Sequence, residues 1–170
     1  FSERLAKLVT QEIYLIDRRN PIIASPNVNG KEIFIKASLF TRGESLQGVI
    51  LAQGSRSDGY GLYIQDGKLI FRVNMNGFSY AASTTDSLPT KFDVLASLSQ
   101  NGEISIQIGD KKVANGNAPS LFKNSIKQNL RIAKDLAGND KIGNYEEPIP
   151  KGPVFALRGE IQNASIELRA

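Results

Sequence analysis

The sequence contains no cysteine and no histidine. Without cysteine there is no disulfide, no thiolate metal ligand and no thiol nucleophile. Without histidine, the commonest general base and the commonest ligand for transition metals are missing as well. A serine-hydrolase triad, a zinc hydrolase and a cysteine–histidine enzyme are therefore excluded in their usual forms. Any metal site would be built from oxygen ligands, which suit calcium or magnesium.

The charge of the chain is modest and spread along its length. The 21 lysine and arginine residues outnumber the 17 aspartate and glutamate residues, which gives a net charge of +4 over 170 residues, without a run of basic residues. A nucleic-acid footprint needs clustered charge, so the sequence predicts no nucleic-acid partner. No apolar stretch approaches the roughly 20 residues that a membrane-spanning helix needs. The chain begins at Phe1 without a methionine, which is typical of a mature form or an excised fragment.

Most of the chain alternates apolar and polar residues with a period of two, which indicates half-buried strands. The segment 31–40 is the first clear example. The strongest hairpin signal is Asp66-Gly67, which stands between two such segments. A change of phase within the last segment, 159–168, predicts a bulge near Asn163. Strands at regular spacing with glycine-containing turns predict an all-β sandwich or barrel.

The start of the chain has a different pattern. Residues 2–9 place three apolar side chains on one helical face after a serine that can cap it, which predicts a short N-terminal helix. The apolar run 12–16 then indicates a strand or an edge segment. A length of 170 residues fits one domain. We therefore expect an N-terminal helix and lead-in segment over residues 1–29 and a sandwich over residues 30–170.

Four segments carry a resemblance to a known family. Residues 48–69 combine an apolar strand ending in glycine, a glycine-led strand and an Asp-Gly-Lys hairpin, and residues 107–114 add a second hairpin. Residues 130–135 lead a strand into a polar loop, and residues 155–168 form the closing strand pattern. Together they resemble the concanavalin A-like, laminin G-like domain at the C-terminal end of bacterial arylsulfatases. The resemblance implies a two-sheet antiparallel jelly-roll sandwich.

The residues that catalysis needs in proteins of this kind are missing. A sulfatase core carries cysteine or serine in a C/S-x-P-x-R context, and Ser25-Pro26 has the wrong spacing and no arginine after it. Glucanases of this fold carry paired carboxylates on a strand with the pattern E-x-D-x-x-E. In this sequence Glu103 and Glu160 each stand alone on predicted strands. The chain by itself is therefore predicted not to be an enzyme, although it can be a fragment of one.

The polar loop after residue 134 gathers six oxygen-bearing side chains within thirteen residues. Carboxylate and amide oxygens are the ligands that calcium takes in proteins, but the spacing does not match an EF-hand. Two interpretations stay open, a solvated surface loop and a calcium site, and calcium is the one cofactor that the sequence suggests. The residues of the predicted metal site are Asp135, Asn139, Asp140 and Glu146.

A second candidate site consists of aromatic, amide and arginine side chains on neighbouring predicted strands. Tyrosine rings stack on sugar faces, and asparagine amides bond to sugar hydroxyls. An arginine pairs with the anionic groups of sulfated or uronic glycans. These side chains either share one exposed sheet face or form core and cross-strand pairs. The aromatic and amide candidates are Tyr60, Tyr63, Asn74, Asn76, Phe78 and Tyr80. The residues of the predicted carbohydrate-binding site are Tyr63, Arg72, Asn74, Asn76 and Tyr80.

These patterns favour a non-catalytic accessory domain of a secreted, sulfatase-like, glycan-processing protein. Such a domain packs on the catalytic unit or holds it near polysaccharide, and these two are the expected partners. Two alternatives stay open: an autonomous carbohydrate-binding module, and a cell-surface adhesion or protein-interaction module. The expected location is secreted, periplasmic or on the surface of a bacterium. An exposed aromatic platform would favour sugar binding over docking to a partner domain.

Overall fold

The structure is a computed structural model. It describes residues 11–16, 22–23, 26–42, 45–135, 141–143, 145 and 155–170. The predicted N-terminal helix lies outside the described residues, and so do Asn139, Asp140 and Glu146 of the predicted metal site. No helix in the described part of the chain is long and apolar enough to cross a membrane.

The described residues form two six-stranded sheets. The strands are β1 (Gln11–Ile16), β2 (Ile22–Ile23), β3 (Glu32–Phe40), β4 (Gly48–Gly54), β5 (Gly59–Gln65), β6 (Lys68–Met75), β7 (Phe78–Ser83), β8 (Lys91–Leu98), β9 (Glu103–Ile108), β10 (Lys111–Asn117), β11 (Leu130–Ile132) and β12 (Glu160–Arg169). A short 3-10 turn, Gln100–Gly102, lies between β8 and β9. Sheet A has the order β1-β12-β3-β8-β9-β10, and sheet B has the order β2-β11-β4-β5-β6-β7.

All the strand pairings are antiparallel. The prediction of an all-β, two-sheet antiparallel sandwich is therefore confirmed. β1 pairs with β12 at one edge of sheet A, and β2 pairs with β11 at one edge of sheet B. Strands of the sandwich thus begin before residue 30, while the division into residues 1–29 and 30–170 stays a prediction.

The inner faces of the two sheets supply the main core. β3 shows the expected alternation, because Ile33, Ile35, Ala37 and Leu39 are buried while the residues between them are partly or fully exposed. β4 differs, since every one of its residues is buried. A strand that is buried on both faces must be covered on the side away from the core as well. That cover is the feature that shapes the candidate site.

Two-residue turns fix the register of sheet B. The hairpin predicted at Asp66-Gly67 joins β5 to β6 and is confirmed. A second turn of this kind, Asn76-Gly77, joins β6 to β7, with left-handed φ angles of 51° and 82°. Such φ angles match the twist of the flanking strands and favour Asn-Gly at this place. Because the turn has two residues, it leaves β7 a single register against β6.

β12 carries the predicted bulge. Its register against β3 shifts between Gln162 and Ser165, and Asn163 has a φ of 52°. The extra residue changes the phase of the alternation. Ile161 before the bulge and Ile166 after it therefore both pack against the main core.

At β7 and β10 the two sheets approach each other through a glycine. A Cβ atom at Gly116 in β10 would lie 2.3 Å from the carbonyl oxygen of Ala81 in β7. Only glycine allows two backbones to come this close. The edges of the two sheets therefore shield each other at this side, which protects them from pairing with other chains.

Candidate functional site

The outer face of sheet B, on the side away from the main core, is covered by residues from the connection between β11 and β12. We call residues 141–143 and 145 the strap. The strand register places Arg131, Gly61 and Arg72 in one row across this face. The strap lies over the middle of that row, because the side chain of Ile142 lies where a Cβ atom of Gly61 would crowd it. The cover over β4 and β5 is thus a defined piece of the chain.

The strap and the sheet form a hydrophobic cluster of their own, apart from the main core. Its buried members are Val49, Ala52, Tyr63, Ile142 and Tyr145, with Ile70 and Phe155 packed against them. The ring of Tyr145 stacks on Phe155, with centroids 4.7 Å apart and planes 13° from parallel. The same ring meets Tyr63 edge-on at a centroid distance of 5.3 Å. Aromatic pairs of these geometries stabilise by about 0.5–1.5 kcal/mol beyond their buried area.

Glycines form the floor beneath Ile142. A Cβ atom at Gly61 would lie 3.1 Å from Cγ2 of Ile142, and one at Gly59 would lie 2.7 Å from its Cδ1. A larger residue at Gly61 would push the isoleucine away from the sheet, and one at Gly59 would in addition collide with the backbone N of Ser55 at 2.6 Å and the carbonyl O of Gln53 at 2.7 Å. The sequence Gly59-Tyr60-Gly61, which at first indicates only a strand, therefore makes room for the strap.

A buried carboxylate ties the strap to the sheet. Asp135 is fully buried, and its Oδ1 accepts a hydrogen bond of 2.6 Å from Nη2 of Arg131, which is 3% exposed. Its Oδ2 accepts a bond of 2.7 Å from the backbone N–H of Ile142 and a short bond from the Tyr145 hydroxyl. Burial, and then the adjacent Asp135 charge, raise the pKa of Tyr145 far above its usual range. The hydroxyl therefore remains a proton donor to Asp135.

The predicted carbohydrate-binding residues fall into two groups. Tyr63, Arg72 and Asn74 share the outer face of sheet B, but Tyr63 and Asn74 are buried. Arg72 donates from Nε to the Tyr63 hydroxyl at 2.9 Å and from Nη1 to Ser79 Oγ at 2.6 Å. The interpretation of these residues as one exposed face is wrong, because Tyr63 packs in the cluster with Ile142 and Tyr145, and Asn74 donates to the carbonyl of Ile142.

Asn76 and Tyr80 lie elsewhere. Tyr80 opposes Val73 across β6 and β7, so it points to the inner side of sheet B and packs against the main core. Asn76 is exposed in the turn between these strands. The structure therefore separates these two residues from the other three. Whether any of the five binds a carbohydrate stays a prediction.

Of the predicted metal site, Asp135 alone is described. Its two oxygens face Arg131 and the strap, so the structure provides it with a cationic partner from the protein itself. Among the residues that the structure describes, no group of three or more acidic side chains could hold a metal ion. The calcium site stays a prediction that depends on Asn139, Asp140 and Glu146.

Asn76 and Tyr80 meet in a cleft at the end of the sandwich, which we call the rim cleft. Its volume is about 470 Å³, within the range of roughly 300–1,000 Å³ that small-ligand sites occupy. The charged, amide and aromatic side chains that line this cleft are Asp58, Asn76, Phe78, Tyr80, Lys123 and Asn124. Phe78 is 66% exposed, and no other large hydrophobic residue in the described part of the chain is exposed.

Backbone contacts hold the rim of this cleft in place. The N–H of Asn76 donates to Oδ1 of Asp58 at 3.2 Å, and the N–H of Gly77 donates to the carbonyl of Ser57 at 3.0 Å. The β6–β7 turn is thus bound to the turn before β5. A rim that is ordered before a ligand arrives lowers the cost of binding.

Sequence reasoning included Asn76, Phe78 and Tyr80 among the binding candidates but missed Asp58, Lys123 and Asn124. Phe78 follows directly after the two-residue turn at Asn76-Gly77 and begins an edge strand. Lys123 and Asn124 lie in the connection from β10 to β11. Nothing in the local pattern indicates that this connection reaches the same cleft.

Solved structures share this architecture. The LG4-5 domains of the mouse laminin α1 chain superpose with a TM-score of 0.64 at 15% identity, over 86% of this chain and 38% of that one. The CBM40 module of the Ruminococcus gnavus IT-sialidase superposes with a TM-score of 0.59 at 12% identity, over 95% and 92% of the two chains. A structure of that module bound to α2,3 sialyllactose superposes with a TM-score of 0.58 at 12% identity, over 95% and 91%.

These likenesses define the fold of the chain as a two-sheet jelly-roll sandwich. Within that class it is a concanavalin A-like, laminin G-like fold, as the sequence resemblance predicted. The chain spans 38% of the laminin structure and nearly all of the CBM40 module. No protein-family model matches the chain, and no curated protein matches it by sequence.

Proposed function

We propose that this chain is a non-catalytic glycan-binding module that uses the rim cleft. The observation that carries the proposal is Phe78, a ring that is 66% exposed beside a cleft lined by amide, carboxylate and ammonium groups. An exposed aromatic ring is the platform on which the apolar face of a sugar stacks. Polar groups at its side then fix the orientation of the hydroxyls.

The roles of the cleft residues follow from their chemistry. Asn76 and Asn124 offer both donors and acceptors, which matches the dual character of sugar hydroxyls. Asp58 already holds the Asn76 N–H through Oδ1, and a carboxylate has further acceptor capacity for hydroxyls. Lys123 supplies a positive charge, which would favour glycans with a carboxylate or sulfate over neutral ones.

The parent context is part of the same proposal. A module of this kind would hold a secreted, sulfatase-like, glycan-processing protein of a bacterium near its polysaccharide, or pack against the catalytic unit. The resemblance of residues 48–69 and 155–168 to arylsulfatase C-terminal domains supports this context. The likeness to a module that belongs to a sialidase supports the idea of an accessory domain.

Replacement of Phe78 by alanine tests the proposal. We expect wild-type protein to bind at least one member of a panel of neutral, sialylated and sulfated oligosaccharides in calorimetric titration. The Phe78→Ala variant should bind the same glycan about 2- to 12-fold more weakly, since stacking contributes about 0.5–1.5 kcal/mol. Its melting temperature should change by no more than about 2 °C, because an exposed side chain contributes little to stability.

Phe40→Ala is a suitable control, since Phe40 is a partly exposed phenylalanine in the other sheet. This variant should retain wild-type glycan affinity. Unchanged affinity in the Phe78→Ala variant would place the binding site outside the rim cleft. Absence of binding to every glycan in the panel would contradict the binding module and favour a domain that only packs on its catalytic unit.

A further inference from the structure

We infer that Asn74 is a positioning residue for glycan binding in the rim cleft, an assignment that rests on the proposed function. Asn74 lies on the outer face of sheet B and does not line the cleft. A chain of hydrogen bonds nevertheless connects its side chain to the two turns that carry Asp58 and Asn76. The amide that the sequence suggested as a sugar contact thus acts on the sugar site from the other side of the sheet.

The side-chain amide of Asn74 uses both of its N–H groups. Nδ2 donates to the carbonyl of Ser55 at 3.2 Å and to the carbonyl of Ile142 at 3.1 Å. Oδ1 accepts a bond of 2.8 Å from the hydroxyl of Ser79, which itself accepts from Nη1 of Arg72. Asn74 is 1% exposed, so water does not compete for these bonds. The amide is therefore held in one orientation, with one N–H directed at the turn before β5.

Ser55 begins that turn and shapes it. Its backbone N–H donates to the carbonyl of Asp58 at 3.0 Å. Its Oγ accepts from the N–H of Ser57 at 3.2 Å and from the N–H of Asp58 at 3.4 Å. A serine hydroxyl that binds the backbone two or three residues further on stabilises a tight turn. Because Asn74 binds the carbonyl of the same serine, it anchors this turn at its first residue.

The turn before β5 holds the β6–β7 turn at the rim of the cleft. The carbonyl of Ser57 accepts the N–H of Gly77 at 3.0 Å, and Oδ1 of Asp58 accepts the N–H of Asn76 at 3.2 Å. Asp58 and Asn76 line the cleft, and so does Phe78, which follows the β6–β7 turn directly. Movement of the first turn would therefore reach two polar groups and the exposed ring of the cleft.

Asn74 acts on affinity through the order of the empty cleft. A rim that is ordered before binding loses less conformational entropy when a glycan arrives. Without the Asn74 amide, only a fraction of the molecules would hold both turns in the binding geometry, and the apparent affinity falls with that fraction. The loss of one hydrogen bond corresponds to a decrease of about fivefold.

The first test needs no glycan. Amide hydrogen exchange is followed by NMR in the wild-type protein and in Asn74→Ala. We expect exchange at Asn76 and Gly77 to become about fivefold faster, since the acceptors of both N–H groups lie in the turn that Asn74 anchors. The N–H of Thr84, which donates to the carbonyl of Leu69 at 3.0 Å, should exchange at its wild-type rate. Equal acceleration at all three amides would show a general loss of stability and would overturn the inference.

The second test measures affinity. Both proteins are titrated with lactose, sialyllactose and sulfated lactose, in which one core carries no charge, a carboxylate or a sulfate. A sugar that the wild-type protein binds should bind Asn74→Ala about fivefold more weakly. Equal affinities would overturn the inference. If the wild-type protein binds no glycan, the proposed function fails, while the exchange rates still decide whether Asn74 orders the rim.

Tyr145→Phe is the matched control. This variant keeps the ring and loses only the hydroxyl that binds Asp135 on the same outer face. The bond from Asn74 to Ser55 remains, so the variant should retain wild-type glycan affinity and wild-type exchange at Gly77. If Tyr145→Phe loses as much affinity as Asn74→Ala, a general loosening of this face explains the effect and Asn74 has no positioning role.

Ser55→Ala provides a second route if Asn74→Ala does not fold. Ser55 is partly exposed and does not line the cleft, so its substitution should leave the fold intact. The variant loses the Oγ bonds to the N–H groups of Ser57 and Asp58. We expect faster exchange at Gly77 and glycan binding that is about two- to fivefold weaker. Wild-type exchange together with wild-type affinity would contradict the proposed chain of hydrogen bonds.

Discussion

The Asp135→Ala variant is expected to lose about 3–5 kcal/mol of unfolding free energy, the range seen when one partner of a buried ion pair is removed. The substitution leaves the Arg131 guanidinium, which is 3% exposed, without its carboxylate. It also removes the acceptor for the Ile142 N–H and the Tyr145 hydroxyl. Equilibrium unfolding in urea, followed by circular dichroism, measures the loss.

Glu103→Ala is the matched control for Asp135. Glu103 also forms a 2.6 Å ion pair, with Lys112, but both side chains are about half exposed. An exposed pair contributes roughly 0–1 kcal/mol, because water and salt screen it. If both variants lose the same small amount, the Arg131–Asp135 pair does not stabilise the fold in the way we argue.

The alternation of apolar residues was enough to predict an all-β sandwich or barrel, and the family resemblance favoured the sandwich. β3 has one buried face and one solvent-facing side, and that arrangement leaves a period-two signal in the sequence. The turn at Asp66-Gly67 and the bulge at Asn163 could be predicted for a similar reason, since each has a local backbone requirement. These features depend only on neighbours in the chain.

Tyr80 was predicted to share an exposed sheet face with the other sugar-binding candidates, and the register of β7 against β6 would have corrected this. A two-residue turn at Asn76-Gly77 sets Tyr80 opposite Val73. Residues that oppose each other in an antiparallel pair share a face, so Tyr80 had to join the core side on which Val73 lies. The set of five sugar-binding residues could therefore have been divided on the basis of the turn alone.

The strap could not be predicted in this way. Ile142 meets Asn74, which is 68 positions earlier in the chain, and no periodicity connects them. One signal was nevertheless present, because Arg131 stands in the middle of the short apolar strand Leu130–Ile132. A buried arginine requires a carboxylate nearby, and Asp135 is four residues away. The prediction of Asp135 as a calcium ligand did not take this arginine into account.

Gly48→Ala is expected to be about as damaging as the loss of Asp135, by roughly 3 kcal/mol or more. Gly48 has a φ of 112°, which L-residues rarely adopt, and left-handed conformations of this kind cost a residue with a Cβ roughly 1–2 kcal/mol. In addition, a Cβ atom there would lie 2.4 Å from the carbonyl oxygen of Ala156 and 2.6 Å from Cα of Leu157. One backbone must move to relieve this collision.

The segment that would move supports the strap. The backbone N–H of Val49 donates to the carbonyl of Phe155 at 2.8 Å, and the ring of Phe155 stacks on Tyr145. Displacement of this segment therefore weakens the aromatic contact that holds the strap as well as the edge of β4. We expect amide hydrogen exchange at Ile142 to become faster in the variant, together with the loss of global stability.

Gly67→Ala is the control that separates the cost of a positive φ from the cost of the collision. Gly67 has a φ of 79°, but a Cβ atom added there would meet no other atom within 4 Å. That variant bears only the backbone cost, about 1 kcal/mol, and should leave the exchange rate at Ile142 unchanged. Urea unfolding of both variants gives the comparison. If Gly48→Ala and Gly67→Ala lose the same unfolding free energy, the backbone at residues 156–157 moves away from the new Cβ atom without cost. The position of Phe155 would then not depend on the close approach of Gly48 to that segment.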